Sequence, residues 1–174
     1  MPLSDATTTE GFFDEIDPAA VRSQKIAKLH DAWDAMRPAL GRLPGRQHFD
    51  PSAVGRLLPN ILTLDLLRGA DGELFSKFRL VGSAVRDAYG EDVTGRTVGM
   101  MPSHHRLAAE TGRAVWRLAP PLQPVLQGRV HLIENLVVPL AADGETPDVL
   151  VMLAIFFDLA GREFRPFKAR MRSV

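Results

Sequence analysis

No cysteine occurs among the 174 residues. Its absence excludes disulfides, thiolate nucleophiles and cysteine-ligated metals or clusters, and it suits a reducing compartment. Net charge is missing too: 21 basic side chains balance 21 acidic ones, so no whole-molecule field draws in nucleic acid or anionic lipid. No apolar run approaches the length of a membrane span. The opening MPLSDATTTEGFFDEID has neither the basic n-region nor the apolar h-region of a signal peptide. No nucleophile elbow or phosphate-binding glycine loop stands out, since GRLPGR and GSAVRDAYG have the wrong spacing. A composition 45% hydrophobic and 24% charged is that of an ordinary globular chain. The expectation is one soluble, cytoplasmic domain with no nucleic-acid and no membrane partner.

What is present is most informative between Arg129 and Leu159, RVHLIENLVVPLAADGETPDVLVMLAIFFDL. Two runs rich in β-branched and aromatic residues flank a polar turn at Asp143-Gly144, which reads as a hairpin of long strands. The second run is apolar at both parities, with Val149, Val151, Leu153, Ile155 and Phe157 on one side and Leu150, Met152, Ala154 and Phe156 on the other. Such a strand must be covered on both faces.

Upstream, residues 1–16 read as a disordered acidic stretch. Asp17 caps a helix with Pro18 at N1, and Ile16 and Val21 form a hydrophobic staple. Ile26, Leu29, Trp33 and Met36 continue an apolar stripe until Pro38. Asp50-Pro51 starts a second, short helix. Strands are expected over Ile61–Leu67 and Leu74–Val81, followed by a short helix, Ala84–Tyr89, that Gly90 ends. A longer helix capped by Ser103 is expected to reach about Leu118, and Pro120-Pro121 ends it before a strand over Leu122–Gln127. The tail from Arg162 is basic, with Arg165, Lys168, Arg170 and Arg172, and carries Phe164, Phe167 and Met171 at helical spacing. Strands at both ends of a helical middle imply an antiparallel sheet in an α+β domain.

That element order resembles a PAS domain. RLVGSAVRDAYGEDVTGR, from Arg79 to Arg96, is similar to the family's second strand, helix and glycine turn. MPSHHR, Met101 to Arg106, resembles the start of its long helix, and VVPLAADGETPDVLVMLAIFFDL, from Val137, its closing hairpin. With LHDAWDAMRP and FDPSAVGRLLPNI before it, the chain looks like a stand-alone PAS-type family seen mainly in alphaproteobacteria. The resemblance implies a five-stranded antiparallel sheet over residues 58–160 with helices and a ligand-sized cavity on one face. An N-terminal helical extension, residues 17–57, or a partner subunit would cover the other face. Residues 161–174 would form the basic tail. It also implies sensing and signal relay rather than catalysis.

Within that frame, Glu134 is the sharpest residue. It shares a strand face with Leu132, Leu136, Val138 and Leu140, and a buried carboxylate is costly unless paired. It is either a polar anchor for a ligand, an ion pair with an arginine such as Arg79 or Arg96, or exposed at a strand end. The expected cavity wall is Leu80, Tyr89, Leu107, Trp116, Glu134, Leu136, Val138 and Ile155. The expected partner face is Ile26, Leu29, Trp33 and Met36, which either covers the sheet in its own subunit or pairs across a homodimer. His104 and His105 are adjacent, so they point about 100° apart on a helix and do not chelate one ion together; they read as surface histidines. The resemblance places the haem-iron ligand of related domains at Ala109, and the photochemical flavin variety needs a cysteine. No cofactor or metal is expected. A cofactor-free enzyme would need His105, Glu110 or Glu134 as base. The favoured expectation is a non-enzymatic sensor of a small, largely apolar molecule that signals to a protein partner. A ligand-free adaptor of the same fold is the alternative.

Overall fold

The structure is a computed structural model that describes residues 7–37 and 41–166. Its elements are β1 (Thr9–Phe12), α1 (Gln24–Ala35), β2 (Ile61–Arg68), β3 (Leu74–Val81), α2 (Ser83–Tyr89) and β4 (Thr97–Val98). They continue with α3 (Ser103–Thr111), β5 (Val115–Ala119), β6 (Leu132–Leu140), β7 (Val149–Phe157) and β8 (Glu163–Phe164). The strands form one antiparallel sheet in the order β1-β5-β6-β7-β2-β3-β4, with β8 pairing the end of β7. The expected five-stranded sheet thus becomes eight-stranded: β5, β6, β7, β2 and β3 make its body, and short strands are added at the edges.

The long β6–β7 hairpin is central, and every one of its strand residues is buried. Its register pairs Leu136 with Leu153 and Asn135 with Ala154, so alternate residues feed two separate cores. One core joins Leu132, Leu136, Val138, Val151, Leu153 and Ile155 to Ile26, Leu29 and Trp33 of α1. The other joins Ile133, Val137, Leu150, Met152 and Phe156 to Val85 and Ala88 of α2 and Ala108 and Ala109 of α3. Helices therefore lie on both faces of the sheet, with α1 over one and α2 and α3 over the other.

Three elements differ from expectation, each for a local reason. The helix expected from Ser103 to Leu118 stops at Gly112, which takes φ +68° as a left-handed cap; only glycine adopts that conformation cheaply. Beyond it Val115-Trp116-Arg117-Leu118 forms β5, because β-branched and aromatic residues there pair with β6. Residues 122–127, expected as a strand, form turns instead; the prolines at 120, 121 and 124 supply no N–H to a ladder. Asp17 caps only a 3-10 turn, Pro18–Ala20. The α-helix proper starts at Ser23, whose Oγ accepts from the backbone of Lys25.

Residues 9–12, placed by composition in a disordered stretch, form β1 against β5. Pro38 and the basic-tail residues Phe167, Lys168, Arg170, Met171 and Arg172 lie outside the described residues. One close approach is set by glycine. A Cβ on Gly82 would lie 2.4 Å from the carbonyl oxygens of both Leu58 and Pro59, so the turn into α2 packs directly on that backbone.

Candidate functional site

On the α1 face, Glu134 is fully buried and fully engaged. Oε1 accepts from the backbone N–H of Arg22 at 2.8 Å and from Trp116 Nε1 at 2.9 Å, and Oε2 accepts from the N–H of Ser23 at 2.8 Å. These backbone donors open α1, where unsatisfied N–H groups and the helix dipole favour an anion. Glu134 is thus the strand-borne anchor of the α1 N-terminus. The arginines expected as its partners are engaged elsewhere: Arg79 with Asp65 at 3.2 Å and Arg96 with Glu91 at 2.8 Å.

The opposite face carries a pocket of about 80 Å³ between the sheet, α2, α3 and the turns of residues 120–131. Its walls are mostly apolar, with Leu62, Phe78, Val85, Leu126 and Phe156 among them. One water needs roughly 10–15 Å³ of such space, so the pocket has room for a handful of waters or a few non-hydrogen atoms. A polar group of His104, His105, Arg117, Gln123 and Asn135 also lines it. Strand alternation explains the sheet part: Arg117 of β5 pairs with Asn135 of β6 in register, and both side chains face away from α1.

His104, His105, Arg117 and Asn135 are each at least nine-tenths buried, with exposures of 4%, 5%, 7% and 5%. The Nδ1 atoms of both histidines are buried without a hydrogen-bond partner, an expensive state in a native interior. His105 Nε2 lies 3.2 Å from Met152 Sδ, and the two imidazoles meet edge to face at 4.4 Å. Burial, then the charges of His105 and Arg117, push the His104 pKa down to about 2. Burial and Arg117 push His105 down to about 4. Both rings are neutral at pH 7, and each offers one donor and one acceptor nitrogen. Burial also lowers Arg117, while Glu10 of β1 opposes that shift. Glu10 Oε2 lies 3.5 Å from Arg117 Nε, 4.0 Å from His104 Nδ1 and 2.9 Å from Ser103 Oγ. Ser103, expected as a helix cap, is the first helical residue, and its hydroxyl donates to Glu10 instead.

A family model described as PAS domain matches residues 21–154. The chain belongs to the PAS domain family. No curated protein and no solved structure matches it. The match takes in α1 through most of β7, while β1, with Glu10, precedes it. Among the described residues no helix of this PAS domain is long and apolar enough to cross a membrane, and no cluster of three or more His, Asp or Glu could hold a metal ion.

Of the residues expected to line the cavity of the PAS domain, Tyr89 lines the pocket, and burial raises its pKa. Glu134, Leu136, Val138, Ile155 and Trp116 lie on the other face, beneath α1. Parity puts side chains on a common face but does not say which layer covers it, and here the two layers are exchanged. Leu80 is 49% exposed, because the register shift opposite Thr63 and Leu64 adds one residue to β3, so that Val81 rather than Leu80 joins Phe78 on the α2–α3 side. Leu107 packs on the α2–α3 core without lining the pocket. Ile26, Leu29 and Trp33, expected as a partner face, are buried within their own chain, and Met36 is half-buried. His105, Glu110 and Glu134 are not brought together: Glu110 is exposed on α3 and Glu134 lies across the sheet from His105.

Sequence reasoning missed the polar group of the pocket. A helix from Ser103 to Leu118 gives Arg117 no sheet face, and adjacent histidines read as surface residues. The available signal was the pattern Val115-Trp116-Arg117-Leu118-Ala119 just after a glycine: read as a strand, it places one arginine on an otherwise apolar face.

Proposed function

We propose that this PAS domain is a non-enzymatic sensory module. It holds a small molecule between the sheet and the α2–α3 layer, and its occupancy sets the module's contact with a protein partner. One observation carries this reading: a mostly apolar pocket is lined in part by a buried polar group, His104, His105, Arg117 and Asn135. Apolar walls with a few convergent polar side chains are the usual architecture of a small-molecule site. Its differential affinity for two arrangements of the surrounding elements would supply the signal.

The pocket's small volume favours a second reading, a ligand-free interaction module with a nearly filled core. Native mass spectrometry of the full chain, followed by solvent extraction, separates the two. A reproducible mass excess that is released as a small molecule supports the sensor. A bare chain mass, with no thermal stabilisation by any compound of a small-molecule panel, sinks it in favour of the adaptor.

A further inference from the structure

We propose that the pocket takes a short-chain monocarboxylate, held by Arg117 beside the two histidines, and that Glu10 of the same chain competes with it for Arg117. This inference rests on the ligand-binding reading above and narrows it to one chemical class.

Arg117 is buried on the pocket face, and a buried cation needs a counter-charge. Its ion pair among the described residues is with Glu10, through Nε at 3.5 Å. That is long for a charge-assisted contact, whose usual span is about 2.7–2.9 Å. No protein acceptor among the described residues takes a hydrogen bond from the guanidinium, so its forked pair of terminal nitrogens remains open to a bidentate carboxylate. His104 and His105, neutral at pH 7, line the same pocket and add no charge to it.

Glu10 shows that this corner accepts a carboxylate, and it holds one loosely. The residue sits on a four-residue edge strand and lies before the family-matched segment. A free carboxylate on the terminal nitrogens would relieve Glu10 of its counter-ion role. The rest of the pocket limits the ligand. Leu62, Phe78, Val85, Leu126 and Phe156 would leave a second carboxylate unpaired. The volume admits a body of only a few carbons.

The test uses the full chain at pH 7 and constant ionic strength, with thermal shift and calorimetry. Probes are acetate, propionate and butyrate, with propionamide, propanol and sodium chloride as controls. Expected results are stabilisation by the carboxylates alone, affinity raised about tenfold in Glu10→Gln, and loss of the response in Arg117→Gln. Arg117→Lys, which keeps the charge and removes the fork, should weaken binding about tenfold, and it decides the matter if Arg117→Gln does not fold. Equal binding of propionamide or propanol overturns the carboxylate assignment and leaves the pocket reading standing. So does a carboxylate response that survives intact in both arginine variants. Silence of every probe in wild type and Glu10→Gln, with a bare mass in the native spectrum, overturns both.

Discussion

Glu134 and Trp116 are diagonal neighbours on paired strands, and the indole N–H of Trp116 donates to Glu134 Oε1 across 2.9 Å. The same carboxylate receives the backbone N–H groups of Arg22 and Ser23. One buried side chain therefore joins the sheet to the first turn of α1.

Glu134→Ala should strand three donors, two of them buried, at about 1–3 kcal/mol for each buried group left unsatisfied. A total loss of about 3 kcal/mol or more is expected in urea unfolding, with an unchanged slope. Glu134→Gln, which keeps one acceptor oxygen, should lose less. Equal midpoints for wild type and Glu134→Ala would refute the anchoring role.

Trp33 is 1% exposed and donates through Nε1 to the Pro139 carbonyl at 2.8 Å. Trp33→Ala should destabilise the chain by about 4 kcal/mol and leave its mass by light scattering unchanged. A variant of normal stability but altered oligomeric state would show that the α1 stripe serves a second subunit.

The buried histidines make stability depend on pH. An unfolded chain protonates its histidines near pH 6.5, whereas folded His105 does so near 4 and His104 near 2. Between these limits the unfolded state binds more protons, so stability is fully present above 6.5 and falls as pH drops toward 4. His105 alone accounts for about 3 kcal/mol across that window. His105→Gln should flatten the unfolding profile between pH 6.5 and 4, and an unchanged slope would contradict the burial of that ring.

Two glycines should respond differently to alanine. A methyl at Gly82 meets two carbonyl oxygens at 2.4 Å, so Gly82→Ala must shift backbone and should cost more than about 2 kcal/mol. Gly112 has only Leu43 Cδ1 nearby, at 3.3 Å, and its cost comes from φ +68°, about 1 kcal/mol. Equal losses, measured by thermal denaturation, would refute the contrast.

The sequence made the two-sided burial of Val149–Phe157 legible, because both parities of that run are apolar. The oddity of Glu134 was legible too, as was the end of α2 at Gly90, which takes φ +75°. The layer over each face was not, since alternation is blind to which helix arrives from a distance. The length of α3 failed because Leu107, Thr111, Ala114, Val115 and Leu118 fit a helical stripe, and one glycine outweighed them. β1 was hidden in a polar segment whose structure comes from pairing with β5, a long-range contact that local composition does not report. The pocket's polar end followed from those errors: without β5 as a strand, Arg117 had no face, and without β1 it had no Glu10.

The segment from Glu10 to Arg22 wraps the β5 edge of the sheet. At one end its carboxylate pairs with Arg117, a pocket-lining residue, and at the other its backbone is gripped by Glu134 beneath α1. Both sides of the sheet are therefore tethered to a single short cord of main chain. Thirteen residues of main chain thus span the distance between a contact on one side of the sheet and a contact on the other.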